Sequence, residues 1–272
     1  MKIAVCVKQV PASQDAKMDP ERGTLIRDGA VATNPYDLFA VEAALRIREQ
    51  TGGEVTAFSM GPQSAEKTLR DAIAMGADHG VLISDRAFAG ADVLATSYTL
   101  SQALAAKGPF DLIVFGRQTT DGDTAQVGPA VAVHLGRPYL CWIQELIGCS
   151  EEEIRVRCSG SRGDLECGIR PPCVICVDKG IGQPRIPALK AKLAAKKAPL
   201  TCLSAADLPD QDPMHYGLEG SATRVEKIYP PYRGEKGFRL QGSMEENADR
   251  VSRWLSLAAN GEYEGIRWEE SM

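Results

Sequence analysis

The chain predicts a doubly wound α/β fold, with a mostly parallel sheet, a small antiparallel addition and an extended C-terminal arm. Two observations predict it. Over the first 140 residues, near-continuous apolar runs alternate with segments whose apolar residues recur at helical spacing. Strands of that kind, separated by helices, belong to a parallel sheet covered on both faces. Glycine-bearing polar loops also follow several of the runs, and sheets of this class bind ligands beyond the C-terminal ends of their strands.

In order, KIAVCVKQV (2 to 10) reads as a strand and DLFAVEAALRIREQ (37 to 50) as a helix with Leu38, Val41, Leu45 and Ile47 on one face. EVTAFSM (54 to 60) is the second strand, SAEKTLRDAIAM (64 to 75) a helix and GVLIS (80 to 84) the third strand. A helix over 91 to 107, the strand DLIVF (111 to 115) and a helix over 124 to 136, ended by Gly136 and Pro138, complete the pattern. Beyond Pro138 the runs 140 to 149, 153 to 158, 165 to 169 and 172 to 177 read as shorter strands of an antiparallel addition. From Asp178 onward Pro, Gly and charge dominate, and a final helix-like piece is EENADRVSRWLSLAAN. The reading is an α/β domain over 1 to 208 and an arm over 209 to 272 that needs a partner surface to be ordered.

Composition narrows the function. With 31 Lys plus Arg against 36 Asp plus Glu there is no basic surplus for a nucleic-acid backbone. The N-terminal apolar run is too short for a secretion signal, and no apolar stretch is long enough for membrane insertion, so a cytoplasmic protein is expected. The eight cysteines of so large a chain are then expected as reduced thiols.

The stretch GRQTTDGDTAQVGP, 116 to 129, is placed where the fourth strand ends and a helix begins. Helix N-termini carry unpaired N–H groups and attract anions. Gly116 and Gly122 would let the backbone approach a ligand, and Thr124 and Gln126 offer donors. Asp121 and Asp123 repel a phosphate unless they turn away, and Asp123 with Thr124 also reads simply as a helix cap. Neither the P-loop nor the G-x-G-x-x-G pattern is present. MGPQS (60 to 64), SDRAFAGADVLATS (84 to 97), and Asn34 and Pro35 ahead of the first helix point to the same sheet edge, so together they define a cleft.

VCVKQVP, NPYDLFAVEAAL, MGP, LRDAIAMGAD, GRQTTDGDTAQVGP and IPALKAKLAAKK, in this order and spacing, resemble the beta subunit of electron transfer flavoprotein over residues 1 to 208. The remainder matches loosely, through GLEGSATRVEKIYPP. The resemblance implies a heterodimer with an alpha subunit and an adenine nucleotide in the cleft. Its contacts would fall on Cys6, on Asn34, Pro35, Tyr36 and Asp37, on Met60 with Gly61, and on Gly116, Arg117, Gln118, Thr119, Thr120, Asp121, Gly122, Asp123, Thr124, Ala125, Gln126 and Val127.

In many members of the family that nucleotide is AMP; in the electron-bifurcating branch it is FAD. SDRAFAGADVLATS resembles the bifurcating pattern D-R-x-F-x-G-x-D-T-x-A-T, with Val93 in place of the Thr, and favours FAD. That assignment adds Asp85, Arg86, Gly90, Asp92 and Thr96 to the cofactor set, with Ser84 and Ser97 as further hydroxyls. Arg86 either lies near the flavin edge or pairs with a surface carboxylate. The branch implies NADH as electron donor, a second FAD in the alpha subunit, an acyl-CoA dehydrogenase-type partner, and a low-potential acceptor such as ferredoxin or flavodoxin. It also implies a recognition loop over about 178 to 197 that docks the dehydrogenase through Leu189, ringed by Lys190, Lys192, Lys196 and Lys197. Without the resemblance, those lysines read as a solvated helix face.

Other chemistry has little support. Cys173 and Cys176 of CVIC point to opposite faces of a strand, which disfavours a redox or zinc pair. His79, His134 and His215 are scattered, without HExxH or G-x-S-x-G. Tyr216, Tyr229, Tyr232, Phe238 and Trp254 are expected to pack on the alpha subunit.

Overall fold

The computed structural model describes residues 1–12, 30–226 and 240–261. The chain forms two units, Met1–Ile228 and Tyr229–Met272.

In the first unit the expected alternation is present: β1 (Lys2–Cys6), α1 (Pro35–Thr51), β4 (Glu54–Met60), α2 (Glu66–Met75), β5 (His79–Ile83), α3 (Val93–Lys107), β6 (Leu112–Gly116) and α4 (Val127–His134). The run read as one strand over 2 to 10 breaks at Val7. Its second half, β2 (Gln9–Pro11), leaves the main sheet and pairs antiparallel with β3 (Val31–Thr33). After α4 come β7 (Tyr139–Cys149), β8 (Ile154–Gly160), β9 (Gly163–Ile169), β10 (Cys173–Val177), α5 (Leu189–Ala195) and β11 (Thr201–Leu203).

The main sheet has the order β11-β5-β4-β1-β6-β10-β7-β8-β9. From β11 to β7 every pairing is parallel, and β8 and β9 are antiparallel. The chain winds outward from β1 through β4 and β5, then crosses to the other side of β1 with β6. Sheets of this class take ligands at such a reversal, which here is the crevice position at the C-terminal ends of β1 and β6.

Alternate strand residues feed two cores. Val5, Ala57, Val114 and Ile175 pack with Val41 and Leu45 of α1 and Leu69 of α2. Ala4, Phe58, Ile113 and Val174 pack with Leu100 and Leu104 of α3 and Val131 of α4.

Two expectations are corrected. PCVICV does not belong to the antiparallel addition: β10 is inserted parallel between β6 and β7. All five of its residues are buried, a pattern only a strand covered on both faces tolerates. Nor does the whole region after Asp178 await a partner. Here β11 extends the sheet beside β5, and Ile181, Ala195, Leu208 and Tyr216 are buried in the first unit. Tyr216 packs on Phe88 with ring centroids 5.5 Å apart, so it does not face a partner.

In the second unit α6 (Met244–Ala259) starts at a capping box, in which Ser243 and Glu246 exchange hydrogen bonds. Met244, Val251 and Leu255 are exposed on it. Tyr229, Tyr232 and Phe238 lie outside the described residues.

Candidate functional site

The crevice is lined where β1, β6 and the start of α1 meet. Gly116 ends β6 so close to α1 that an added Cβ would stand 2.5 Å from Asp37 Oδ1 and 2.7 Å from the Tyr36 carbonyl carbon. Only glycine permits that approach. Asn34, fully buried, does not cap α1 with its side chain; it bridges to the next loop, donating to the Gln118 carbonyl at 2.9 Å and accepting from the Thr120 amide at 3.2 Å. Pro35 occupies the first helical turn, where its missing N–H costs nothing.

Asp37 is buried and accepts the Lys8 amide at 2.7 Å. Burial pushes its carboxyl up to about 7, against the pull of Asn34 and the Lys8 amide. Cys6, beneath it at the end of β1, is held as a neutral thiol, raised by burial and by the neighbouring Asp37.

The loop from Arg117 to Gln126 resolves the carboxylate problem. Asp121 forms an ion pair with Lys8 Nζ at 2.7 Å, and although burial opposes ionisation, Lys8 and the Gly122 amide hold it below the ordinary range. Asp123 is taken by the Gln118 side-chain amide, while its own N–H reaches the Thr119 carbonyl at 3.1 Å. Each acid is thus turned to a local partner.

The helix begins at Val127, three residues later than expected, and Gln126 precedes it without a side-chain cap. The Asp123–Thr124 cap is therefore not formed. Asp123 and Ala125 adopt left-handed backbone, with φ of 52° and 54°, whereas Gly122 does not, so the sharp turning expected of Gly122 falls on its neighbours. The backbone N–H groups of Thr124, Ala125 and Gln126 have no partner among the described residues. Three such donors, at an uncapped helix start and free of facing carboxylates, fit a phosphate.

Arg117 is the first residue beyond β6. Its guanidinium pairs with Asp178 at 2.6 Å and lies 4.6 Å from the Trp142 ring centroid and 5.3 Å from that of Tyr36. Asp178 is buried, which opposes its charge, but the Lys179 amide, Arg117 and Gln144 hold it ionised. Lys8, Trp142 and Asp178 were not singled out by their sequence context. Only the Lys8 position within VCVKQVP offered a signal.

The remaining predicted residues line the same edge farther from β6. Met60 ends β4 and Gly61 follows it, with the Gly61 N–H on the Ile83 carbonyl at 3.0 Å. Loop 84 to 97 follows β5, three strands from β6. Its acids have structural partners: Asp85 accepts from Ala87 and Ala205 amides, and Asp92 from Ala95 and Thr223. Backbone bonds hold Asp85 ionised; Asp92 is held low against burial by the same means.

Ser97 is buried and donates to the Leu94 carbonyl at 2.9 Å, so its hydroxyl does not serve as the free donor expected of it. Gly90 has φ of 76° and packs against Leu218. Thr96 is half-buried in the first turn of α3. Arg86 is exposed and makes no ion pair among the described residues.

On the opposite side of β5, α5 carries Leu189, which is 72% exposed, beside Leu193 and the preceding Ile186. Lys190, Lys192, Lys196 and Lys197 are exposed around them. Two arginines hold this segment from either end. Arg185 binds Glu42 and Glu49 of α1 at 2.8 and 2.7 Å, and Arg70 of α2 donates to the carbonyls of Ala195, Lys196 and Ala198. An apolar knob in a cationic ring is thereby presented on a fixed helix.

Cys173 and Cys176 fall in opposite cores, and all eight cysteines are free. No cluster suited to a metal ion occurs among the described residues. None of the helices described is long and apolar enough to cross a membrane.

Comparison with known proteins gives these features a family. A model described as electron transfer flavoprotein domain matches residues 22–208, through the crevice and α5 alike. Protein FixA of Bradyrhizobium diazoefficiens is 42% identical over 247 residues, covering 88% of this chain and 86% of that protein. Protein FixA of Azotobacter vinelandii is 40% identical over 260 residues, covering 93% and 92%. Electron transfer flavoprotein subunit beta of Megasphaera elsdenii is 39% identical over 249 residues, covering 89% and 92%. The chain belongs to the electron transfer flavoprotein family, in its beta-subunit and FixA group.

Proposed function

We propose that this chain is the beta subunit of a heterodimer with an electron transfer flavoprotein alpha subunit, and that its crevice binds the adenine nucleotide part of FAD. The observation that carries the reading is the set of amides of Thr124, Ala125 and Gln126, without a partner among the described residues, at an uncapped helix start, with Asp121 and Asp123 turned to partners of their own. Asn34 and Gly116 hold α1 and the loop together, and Lys8 pairs with Asp121, so the wall is held by the chain's own contacts. A bound flavin supplies two-electron chemistry with NADH and one-electron chemistry with the alpha-subunit FAD and a low-potential acceptor. The likeness of SDRAFAGADVLATS to the bifurcating pattern supports FAD, and Arg86, without an ion pair among the described residues, would favour an anionic reduced flavin by its charge.

AMP is the second reading. It is favoured by Asp85, Asp92 and Ser97, whose polar groups serve the protein's own backbone, leaving fewer donors for a ribityl chain. Nucleotide content separates the two: the purified heterodimer is expected to release two FAD, and one FAD with one AMP overturns the FAD reading. An absence of any adenine nucleotide beyond the alpha-subunit FAD overturns the crevice assignment.

In the same proposal, Leu189 seats in a dehydrogenase partner whose acidic rim meets Lys190, Lys192, Lys196 and Lys197. The exposed Met244, Val251 and Leu255 of α6 pack on the alpha subunit.

A further inference from the structure

Trp142 stands in backbone that its side chain does not favour. Its φ is 60°, in the left-handed region where a bulky residue is a true outlier and glycine is at ease. The cause is a bulge. Between the β7–β10 pairs Leu140↔Ile175 and Ile143↔Val177, Cys141 and Trp142 stand against the single residue Cys176. Burial does not compensate, because Trp142 remains 45% exposed. A glycine would fill this backbone position at lower cost, so the indole has a use of its own.

The bulge aims the indole at the Arg117 guanidinium, 4.6 Å from its ring centroid. Arg117 is otherwise tied at its backbone to the Val177 carbonyl at 2.8 Å and at its tip to the buried Asp178 at 2.6 Å. From Arg117 the order passes along the loop. Its Nε donates to the Gln118 side chain, and the Gln118 amide donates in turn to Asp123. Asp123 immediately precedes the amides that lack partners among the described residues.

We propose that Trp142 is a positioning residue for the crevice: its strained backbone turns the indole onto Arg117, and Arg117 fixes the loop whose amides receive the nucleotide phosphate. The inference rests on the crevice assignment made above. It makes Trp142 a determinant of nucleotide affinity that touches the loop and not the phosphate.

The test compares Trp142→Gly, Trp142→Leu and Trp142→Phe in the full chain expressed with the alpha subunit. AMP and FAD affinities of the crevice are measured on heterodimer that keeps its alpha-subunit FAD and is stripped of any further nucleotide, and stability by urea midpoint. Glycine removes both indole and strain, so its midpoint is expected at or above wild type while affinity falls about 2- to 5-fold, the range of a cation–π contact at a partly exposed site. Leucine keeps bulk without a ring and is expected to lose affinity as glycine does; phenylalanine is expected to restore most of it. Equal affinities for the leucine and phenylalanine variants overturn the proposal, as does a glycine variant that binds like wild type or loses midpoint and affinity together. Wild-type protein that binds neither nucleotide overturns the crevice assignment itself.

Discussion

At the scale of single residues, Asp37 behaves unlike an ordinary surface carboxylate. Burial raises its carboxyl to about 7, whereas an unfolded chain holds it near ~3.9. The folded state therefore binds the proton more tightly, and the stabilisation is whole below the ordinary carboxyl range and is lost as pH rises toward about 7. Across that window wild type is expected to lose on the order of 3 kcal/mol relative to Asp37→Asn, which keeps an acceptor for the Lys8 amide and has no charge to bury. Urea unfolding at pH 4.5 and 7.5 checks it; parallel curves for the two proteins refute it. Asp37 was named at the outset only through the resemblance of NPYD to the family's segment; its closeness to Gly116 comes from the fold and leaves no trace in the sequence. Nor was Trp142 marked, since a left-handed aromatic at a bulge leaves no periodicity and depends on which strand lies alongside.

Elements were legible to different degrees for physical reasons. β4 runs over Glu54–Met60 as read, because EVTAFSM is a β-branched and apolar run between glycine-bearing turns. The start of α4 was misplaced because Asp123 and Thr124 resemble a cap, while the loop spends Asp123 on the Gln118 side chain. The basic character of the segment around α5 was legible, but the hold upon it was not, since Arg70 reaches it from α2 and its own Arg185 reaches out to Glu42 and Glu49 of α1. That hold carries a prediction. Arg70→Met removes donors from three carbonyls at the end of α5 and is expected to weaken dehydrogenase binding about three- to tenfold, as loss of one to two hydrogen bonds would, with Leu189 intact. Surface plasmon resonance against the dehydrogenase measures it, and unchanged binding with a lowered urea midpoint would assign Arg70 to stability alone.

For the molecule as a whole, a ligand that binds only the folded crevice stabilises by mass action. At 100-fold excess over Kd the gain is about 2.7 kcal/mol, a rise in Tm of roughly 5–10 °C for a unit of this size. Calorimetry of stripped protein with and without AMP or FAD is expected to show it, and an unmoved transition excludes tight binding. The doubly wound class was readable from alternation alone, but strand order was not, because an apolar run such as CVICV names no neighbours. Its actual place, between β6 and β7, imposes a sequence in time. On the ribosome β7, β8 and β9 emerge before Cys173–Val177, yet they have nowhere to attach until that strand arrives. A single five-residue strand, synthesised after both of the strands that it joins, is thus the seam between them.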